Sequence, residues 1–193
     1  VSNRIDTVEK CFESFRPLLE QIPSEFIAVD TVGDEKSDGS VDVARKYADK
    51  IVHFEWCDDF SAARNAGLKE ACGKWLIYLD DDEWFDDAGP LIDFFSKPEL
   101  YENYDRVSMM EHSYTSASQI DYVSNKFSRI SAIVPESKFV DPVHELLKGI
   151  VCRNEYDLKE TFVHHVGYIG NLSDKKAKRN QQIMNKELEK NPG

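Results

Sequence analysis

The sequence is poor in long apolar runs and in cysteine. No segment approaches the roughly 20 consecutive apolar residues that a membrane-spanning helix requires, and nothing resembles a signal peptide. The 4 cysteines form no CxxC pair and have no histidine at zinc-ligand spacing, so we interpret them as reduced thiols. These absences predict a cytoplasmic domain without a transmembrane segment, with a peripheral position at the inner face of a membrane as the alternative.

Positive charge is also scarce. The chain has 24 Lys and Arg against 36 Asp and Glu, which gives a formal net charge of -12. An acidic protein of this kind repels nucleic acid, so we expect no such partner. A phosphorylated small molecule can still bind, but it then requires a divalent cation, a helix N-terminus or a few basic side chains at its phosphates.

The hydrophobic content allows one well-buried domain, because 41% of the 193 residues are hydrophobic. In residues 1–88, helical patterns alternate with apolar segments at 25–30, 51–54 and 75–79. This alternation favours βαβ units, and it predicts an α/β fold with a Rossmann-like, mostly parallel central sheet flanked by helices. In residues 89–193 the alternation fades into short segments, which predicts a mixed and less regular extension of the sheet that ends with a charged helix. Because both ends break off abruptly, we expect this single domain, 1–193, to be part of a longer chain.

Four consecutive carboxylates follow the most apolar predicted strand, at Asp80, Asp81, Asp82 and Glu83. Two carboxylates about 5 Å apart repel by about 3 kcal/mol at an effective dielectric near 20, so they must either splay into water or share a cation. Asp30 ends another predicted strand, and the carboxyl ends of parallel strands meet at one edge of a sheet. A solvated acidic turn is the alternative, but the position favours a site for magnesium or manganese.

Several motifs, taken in order along the chain, resemble family 2 glycosyltransferases, which have the GT-A fold. The nucleotide-binding half is matched by Val29-Asp30-Thr31, Ser37-Asp38-Gly39-Ser40, Phe60-Ser61-Ala62-Ala63-Arg64-Asn65 and Leu79-Asp80-Asp81-Asp82-Glu83. A bacterial branch of the family that is often joined to helical repeats is matched by Val143-His144-Glu145 and His165-Val166-Gly167-Tyr168. The chain departs from the family at its start, where only Val1-Ser2-Asn3 stands for the first strand and its turn.

The resemblance implies a metal-dependent enzyme that moves a sugar from a nucleotide-diphosphate donor, with a UDP-sugar favoured, to an acceptor hydroxyl. It implies inversion at the transferred carbon and a role in cell-surface glycan synthesis. The acceptor is a glycan, a lipid or a protein. Magnesium or manganese is the implied cofactor. Two other hypotheses stay open: a non-catalytic domain that binds a nucleotide sugar or a protein, and a nucleotidyltransferase, although no Gly-rich phosphate loop is visible.

The resemblance also implies a set of donor and metal contacts. Asp80 lies near the ribose, Asp82 holds the metal that bridges the diphosphate, and His165 adds a metal or diphosphate contact. Alternatively, His165 is structural, and Arg64 is a surface residue paired with Asp58 or Asp59. The residues implied to bind the donor are Asn3, Asp30, Asp38, Arg64, Asn65, Asp80 and Asp81, and those implied to bind the metal are Asp80, Asp82 and His165.

Inversion requires a base that takes the proton of the acceptor hydroxyl. Glu145 is the first candidate and Asp141 the second, and a structural role for both in holding their loop is the alternative. The basic cluster Lys175, Lys176, Lys178 and Arg179 is either a solvated helix face or a contact for the diphosphate or an anionic acceptor. The aromatic side chains of Trp84, Phe85 and Tyr168 form either a platform for the acceptor or part of the core.

Overall fold

A computed structural model describes residues 1–149, 153–169 and 172–190 of the chain. The helices are α1 Ile5–Gln21, α2 Ser40–Tyr47, α3 Phe60–Leu68, α4 Gly89–Phe95, α5 Pro98–Tyr101 and α6 Leu172–Lys190. The strands are β1 Ile27–Asp30, β2 Lys50–His53, β3 Trp75–Ile77, β4 Glu83–Phe85, β5 Arg106–Tyr114, β6 Tyr122–Ala132, β7 Lys138–Val140, β8 Leu146–Lys148 and β9 Glu155–His165. A short 3-10 turn spans Asp34–Lys36.

The first half follows the predicted alternation of helices and strands. Strands β1 and β2 are parallel, with Asp30 opposite His53 at their carboxyl ends. Helix α1 buries one face because its apolar residues recur at helical spacing, at Val8, Cys11, Phe12, Phe15 and Leu18. The ring of Phe12 meets that of Phe26 edge to face, with the ring centroids 5.0 Å apart, and so fixes the helix beside the loop that enters β1.

The larger sheet is mixed rather than mostly parallel. Its strand order is β3-β6-β5-β9-β4, in which β5 and β9 are parallel and the other neighbours are antiparallel. The α/β class is confirmed. The parallel pair of β1 and β2 lies in the first half, as predicted, and β5, β6 and β9 of the mixed sheet lie in the half that was predicted to be mixed. Strands β5 and β6 form a hairpin, and a hairpin can only make an antiparallel pair. Strand β3, the most apolar strand of the sequence prediction, lies at an edge of these five strands.

The main core lies between this sheet and helices α1 and α4. Helix α4 contributes Leu91 and Phe94, which are 0% and 1% exposed, and Trp75 of β3 packs edge to face on Phe94. The sheet contributes buried side chains from three strands, among them Val107, Met109, Ile130 and Val163. This packing fixes the strands whose opposite face and ends carry the polar residues described below.

The acidic run enters the sheet directly. Asp80 to Asp82 form a tight turn, closed by the Glu83 backbone N–H donating to Asp80 O at 3.0 Å, and β4 begins at Glu83. Glu83 then pairs with His165 across the β4–β9 ladder, and Ser113 of β5 is the neighbour of His165 on the other side. In the described residues, no helix combines the length and apolarity that crossing a bilayer demands.

Candidate functional site

The four carboxylates of the acidic run splay apart to different groups, although Asp80 and Glu83 share one partner, Arg129. Asp80 contacts two arginines, and Asp81 accepts hydrogen bonds from the backbone and hydroxyl of Ser2. Asp82 contacts Arg4 and Lys176, and Glu83 contacts Arg129. The predicted repulsion within the run is therefore offset by basic side chains from distant parts of the chain, and the solvated-turn alternative does not describe this arrangement.

Asp80 is held between the guanidinium groups of Arg64 and Arg129. Arg64 Nη2 lies 2.8 Å from Oδ1, and Arg129 Nη1 lies 3.3 Å from Oδ2. Burial opposes the charge, but the two arginines outweigh it and hold the pKa of Asp80 far below its ordinary value. The Asp80 side chain is still 43% exposed, so a ligand can reach its oxygens.

Glu83 is completely buried behind the acidic run. Its Oε2 accepts from Arg129 and, at 2.8 Å, from the backbone N–H of Asp80. Its Oε1 has no hydrogen-bond partner within the described structure. Burial raises the pKa of Glu83 to about 7, and the charge of Asp80 acts in the same direction, whereas Arg129 opposes the rise.

Asp82 is buried among positive groups and beside a histidine. Lys176 Nζ and Arg4 Nη2 lie 2.8 Å and 3.0 Å from its Oδ2, and His165 Nε2 lies 3.7 Å from its Oδ1. The backbone of Gly167 closes this cluster, since a Cβ there would overlap Lys176 Nζ and lie 2.5 Å from His165 Nε2. The cluster thus depends on a residue without a side chain at position 167.

His165 and His164 face opposite sides of β9, as alternating residues on a strand must. His165 is buried, with Nδ1 3.1 Å from Glu111 Oε1, and burial would lower its pKa. The hydrogen bond to Glu111 and the charges of Glu83 and Asp82 outweigh that effect, so the pKa of His165 is raised. His164 stacks on Trp84 with the ring centroids 5.0 Å apart, on the far side from the acidic run.

The candidate donor residues near the N-terminus hold the backbone in place. Asp30 is 2% exposed and accepts from the N–H groups of Val32 and Gly33, with His53 Nδ1 at 2.9 Å. Burial opposes ionisation of Asp30, but these partners prevail and lower its pKa. Val1 O accepts from Thr31 N at 3.1 Å, so residue 1 occupies a place beside β1.

Asn3 and Asp38 tie the segment before α1 to the loop before α2. Asn3 donates to Lys36 O at 3.1 Å and accepts from Asp38 N at 3.0 Å. Asp38 accepts from Ile5 N at 3.1 Å and from both the backbone and the hydroxyl of Ser40. These hydrogen bonds hold the loop in place, and the roles of Asn3 and Asp38 in donor binding stay predictions.

Helix α3 brings Arg64 and Asn65 to different neighbours. Arg64 contacts Asp80 and Glu145, with its guanidinium 4.6 Å from the Tyr78 ring centroid, rather than Asp58 or Asp59. Both ends of the Asn65 amide bond the backbone of Phe139 at 2.8 Å, which fastens β7 to α3. The donor role of Asn65 stays a prediction, and its visible contacts are structural.

The two candidate bases lie on the segment between β7 and β8. The Glu145 side chain is 13% exposed and is held by Arg64 Nε, which joins it to Asp80 through one guanidinium. Asp141 is exposed and has a left-handed backbone, with φ of 71°, as does His144 with φ of 59°. The structure therefore brings Glu145 to the acidic run, whereas Asp141 stays a prediction without a contact that supports it.

The basic and aromatic candidates divide between the site and the core. In α6, Lys176 contacts Asp82, Arg179 packs over the Phe60 ring at 4.7 Å, and Lys178 is exposed. The side chain of Lys175 lies outside the described residues. Trp84 and Phe85 are each 4% exposed and pack in the core, which removes them from the predicted acceptor platform, whereas Tyr168 is 49% exposed with its ring 5.0 Å from that of His165.

Two arrangements of these side chains could hold a metal ion. Asp82 and the Nε2 of His165 form the first, and this Nε2 is a buried nitrogen without a hydrogen-bond partner in the part of the chain that the structure describes. Glu83, Glu111 and His165 form the second, with ligand atoms within 4.8 Å of one another. Carboxylate oxygens suit magnesium and manganese, so these residues fit the implied divalent ion, with the imidazole as an additional nitrogen ligand.

A mixed α/β sheet with a carboxylate run at the end of a strand is the arrangement of GT-A-type domains, so the predicted fold class is confirmed. The model of glycosyl transferase family 2 matches residues 1–147, and the chain belongs to this family. The resemblance found in the sequence is therefore confirmed, and the domain is a glycosyltransferase domain.

Two relatives have matching segments. A TPR repeat-containing protein of Synechococcus elongatus is 27% identical over 151 residues, which cover 76% of this chain and 34% of that protein. "Putative glycosyltransferase EpsH" of Bacillus subtilis is 30% identical over 91 residues, which cover 45% of this chain and 25% of that protein. The chain thus spans about a third of the first relative and a quarter of the second.

Proposed function

We propose that this domain transfers a sugar from a nucleotide-diphosphate donor, with a UDP-sugar favoured, to an acceptor hydroxyl, and that it uses manganese or magnesium. The observation that carries the proposal is the buried Asp82 carboxylate facing Nε2 of His165, with Arg4 and Lys176 beside Asp82. This Nε2 has no hydrogen-bond partner among the residues that the structure describes. This cluster combines ligands for a hard cation with positive groups for a diphosphate. Family membership supplies the reaction class.

In the proposed site, Asp82 and His165 would hold the metal ion, which would supply positive charge to the diphosphate leaving group. Lys176 and Arg4, which contact Asp82, would then be free to donate to the phosphate oxygens. Asp80, fixed by Arg64 and Arg129 yet 43% exposed, accepts from the ribose hydroxyls. Asp30 contacts the nucleoside.

Glu145 is proposed as the base of an inverting transfer. The acceptor oxygen forms a bond to the anomeric carbon as the bond from that carbon to the diphosphate breaks, and the acceptor proton passes to a Glu145 oxygen. The contact with Arg64 supports this role, because it holds Glu145 close to the donor carboxylate Asp80. Asp141 is the second candidate. Cell-surface glycan synthesis on the cytoplasmic side of a bacterial membrane belongs to the same proposal and rests on the resemblance.

Calorimetric titration tests the donor site. UDP and GDP are titrated into the protein with and without Mn²⁺, and the same is done with Asp82→Asn and with the control Asp93→Asn. Asp93 lies on α4 and pairs with Lys97 at 2.8 Å, away from the acidic run. We expect UDP binding that requires Mn²⁺, is lost in Asp82→Asn and is kept in Asp93→Asn. Metal-independent binding, or equal binding by both variants, would contradict the proposal.

A non-catalytic nucleotide-sugar domain is the second candidate, and one observation favours it. Lys176 and Arg4 already more than neutralise the single charge of Asp82, so the carboxylate does not require a metal for charge compensation. The two candidates differ in turnover. An enzyme releases UDP from a UDP-sugar with acceptor or slowly with water, and Glu145→Gln abolishes the release without weakening UDP binding. A binding domain shows Mn²⁺-independent binding and no release in either form.

A further inference from the structure

We propose that Glu111 is a positioning residue that fixes the tautomer and orientation of the His165 ring, so that the lone pair of Nε2 faces Asp82. This inference rests on the proposed function, because it gives the Nε2 atom a metal to bind. Glu111 belongs to none of the motifs that mark the site in the sequence. It lies on β5, and β9 carries His165 beside it.

The hydrogen bonds around the ring support one tautomer. His165 Nδ1 lies 3.1 Å from Glu111 Oε1, and an ionised carboxylate can only accept, so Nδ1 must carry the hydrogen. A neutral imidazole has one N–H, and its Nε2 is then an acceptor. That nitrogen is buried, has no hydrogen-bond partner in the described residues and lies 3.7 Å from Asp82 Oδ1.

The carboxylate that orients the ring is itself oriented. Ser113 Oγ donates to Glu111 Oε1, and the same hydroxyl lies 3.4 Å from His165 Nδ1. Ser113 is 5% exposed and pairs directly with His165 in the β5–β9 ladder, so its position is set by the sheet backbone. Glu111 therefore cannot turn away from the ring without losing the bond from Ser113. A carboxylate bonded to the far nitrogen of a metal-binding histidine is a general means of fixing the ring and strengthening the metal bond.

Glu83 offers a second possible metal site at His165, and the experiment must distinguish it from the site at Nε2. Its Oε1 lies 3.9 Å from His165 Nδ1, and with Glu111 it could form a site on the opposite side of the ring. Such a site is enclosed, since Glu83 is 0% exposed, and it leaves no room for a diphosphate. We therefore place the metal at Nε2 and assign Glu111 to the hydrogen bond at Nδ1.

The test reads the tautomer in the metal-free protein. Long-range ¹H–¹⁵N correlation spectra of ¹⁵N-histidine-labelled protein report which ring nitrogen carries the hydrogen. They are recorded at a pH high enough that the His165 signals no longer change, because its raised pKa requires this for a neutral ring. We expect hydrogen on Nδ1 of His165 in the wild type. In Glu111→Ala we expect a mixture with hydrogen largely on Nε2. In Glu111→Gln the amide oxygen can accept from Nδ1, so the wild-type tautomer should return.

Mn²⁺ binding, followed by the electron paramagnetic resonance of free Mn²⁺, gives the second readout. Glu111→Ala should weaken binding by about 10- to 100-fold, and Glu111→Gln should restore most of it. Glu160→Ala is the matched control, because Glu160 is an exposed carboxylate on the same strand β9 and accepts from Lys159 N. A melting temperature for each variant detects any loss of fold. Ser113→Ala is a milder variant than Glu111→Ala, because it removes only the hydroxyl that donates to Glu111.

The outcomes separate this inference from the proposed function. Hydrogen on Nε2 in the wild type, or an unchanged tautomer in Glu111→Ala, would overturn the role of Glu111 without any metal being present. Shifts at Nδ1 instead of Nε2 on binding a diamagnetic divalent ion in place of Mn²⁺ would overturn it in favour of the enclosed Glu83 site. If the wild type has hydrogen on Nδ1 but binds no Mn²⁺, the proposed metal chemistry fails while the positioning of the ring stands.

Discussion

Lys176 of the C-terminal helix lies 2.8 Å from Asp82, although the two residues are 94 positions apart in the sequence. Asp82 is buried and Lys176 is only partly exposed, so the ammonium group takes the position of a cation at the carboxylate. Arg4 approaches the same Oδ2 from the opposite end of the chain. A metal ion at Asp82 must therefore compete with two basic side chains of the protein itself.

We predict that Lys176→Gln raises the affinity for Mn²⁺ in the absence of nucleotide. Removing the ammonium group takes away a competitor worth about 1 kcal/mol, which corresponds to roughly a fivefold lower Kd. Free Mn²⁺ is measured by electron paramagnetic resonance. Lys178→Gln, an exposed lysine of the same helix, is the control and should leave the Kd unchanged. Equal or weaker Mn²⁺ binding by Lys176→Gln would show that Lys176 does not compete at Asp82.

The ion pair between Arg64 and Glu145 predicts an energetic coupling. Their side chains are 15% and 13% exposed, and Glu145 contacts Arg64 Nε. In a double-mutant cycle with Arg64→Gln and Glu145→Gln, we expect a coupling of about 1–2 kcal/mol in the free energy of urea unfolding. The exposed pair Lys50 and Glu70 is the comparison, and its coupling should be clearly smaller because solvent screens it. Additive effects at Arg64 and Glu145 would contradict the contact.

The acidic run was recognisable in the sequence because four carboxylates follow an apolar segment. Asp30 also follows an apolar segment, but β1 and β3 lie in different sheets, so the rule about the carboxyl ends of parallel strands does not by itself bring Asp30 to Asp80. Arg64 could be placed there through the family motif. The identity of their partners could not be predicted, because Arg129 reaches Asp80 only through the pairing of β6 with β3 and β5.

Long-range strand pairing also explains why the sequence did not mark Glu111 and why it did not settle the place of the aromatic residues in β4. Residues 106–114 and 155–165 lie parallel and adjacent, and only this pairing places Glu111 beside His165. No local pattern marks Glu111, since a single carboxylate on a predicted strand is commonly a solvated residue. For the aromatic residues Trp84 and Phe85 the sequence left open an acceptor platform or the core, and β4 carries both into the interior.

Asp30 should make the stability of the protein depend on pH. Its folded pKa is lowered, so its contribution is fully present above the unfolded pKa of about 3.9 and is lost as the pH falls through the lower folded value. Asp30→Asn should cost about 1–3 kcal/mol at neutral pH, because the charged hydrogen bonds are lost. Urea unfolding from about pH 7 down to about pH 3 should show the two proteins converging.

The control for this prediction is Asp42→Asn, which changes the same charge at an exposed position of α2. It should alter stability by less than about 0.5 kcal/mol at neutral pH. A difference between wild type and Asp30→Asn that stays constant across the whole range would contradict the lowered pKa, since the variant has no titrating group at that position.

Gly167→Ala should disrupt metal binding more than it disrupts the fold. The backbone of Gly167 has no left-handed strain, so alanine is acceptable there on conformational grounds. Its Cβ, however, would lie 2.5 Å from His165 Nε2 and 2.7 Å from Asp82 Oδ2. Lys176 can swing away from the new methyl group, whereas His165 and Asp82 are buried and must shift together.

We therefore expect Gly167→Ala to bind Mn²⁺ at least about tenfold more weakly, since a displacement of the ligands by a few tenths of an ångström breaks the geometry that a metal requires. Gly73→Ala is the matched control, because the nearest atom to its Cβ would be Trp75 O at 3.4 Å, far from the acidic run. Thermal unfolding of both variants shows whether the fold is kept. If Gly167→Ala bound Mn²⁺ as the wild type does, the ion could not lie between His165 Nε2 and Asp82, because the added methyl group occupies that space.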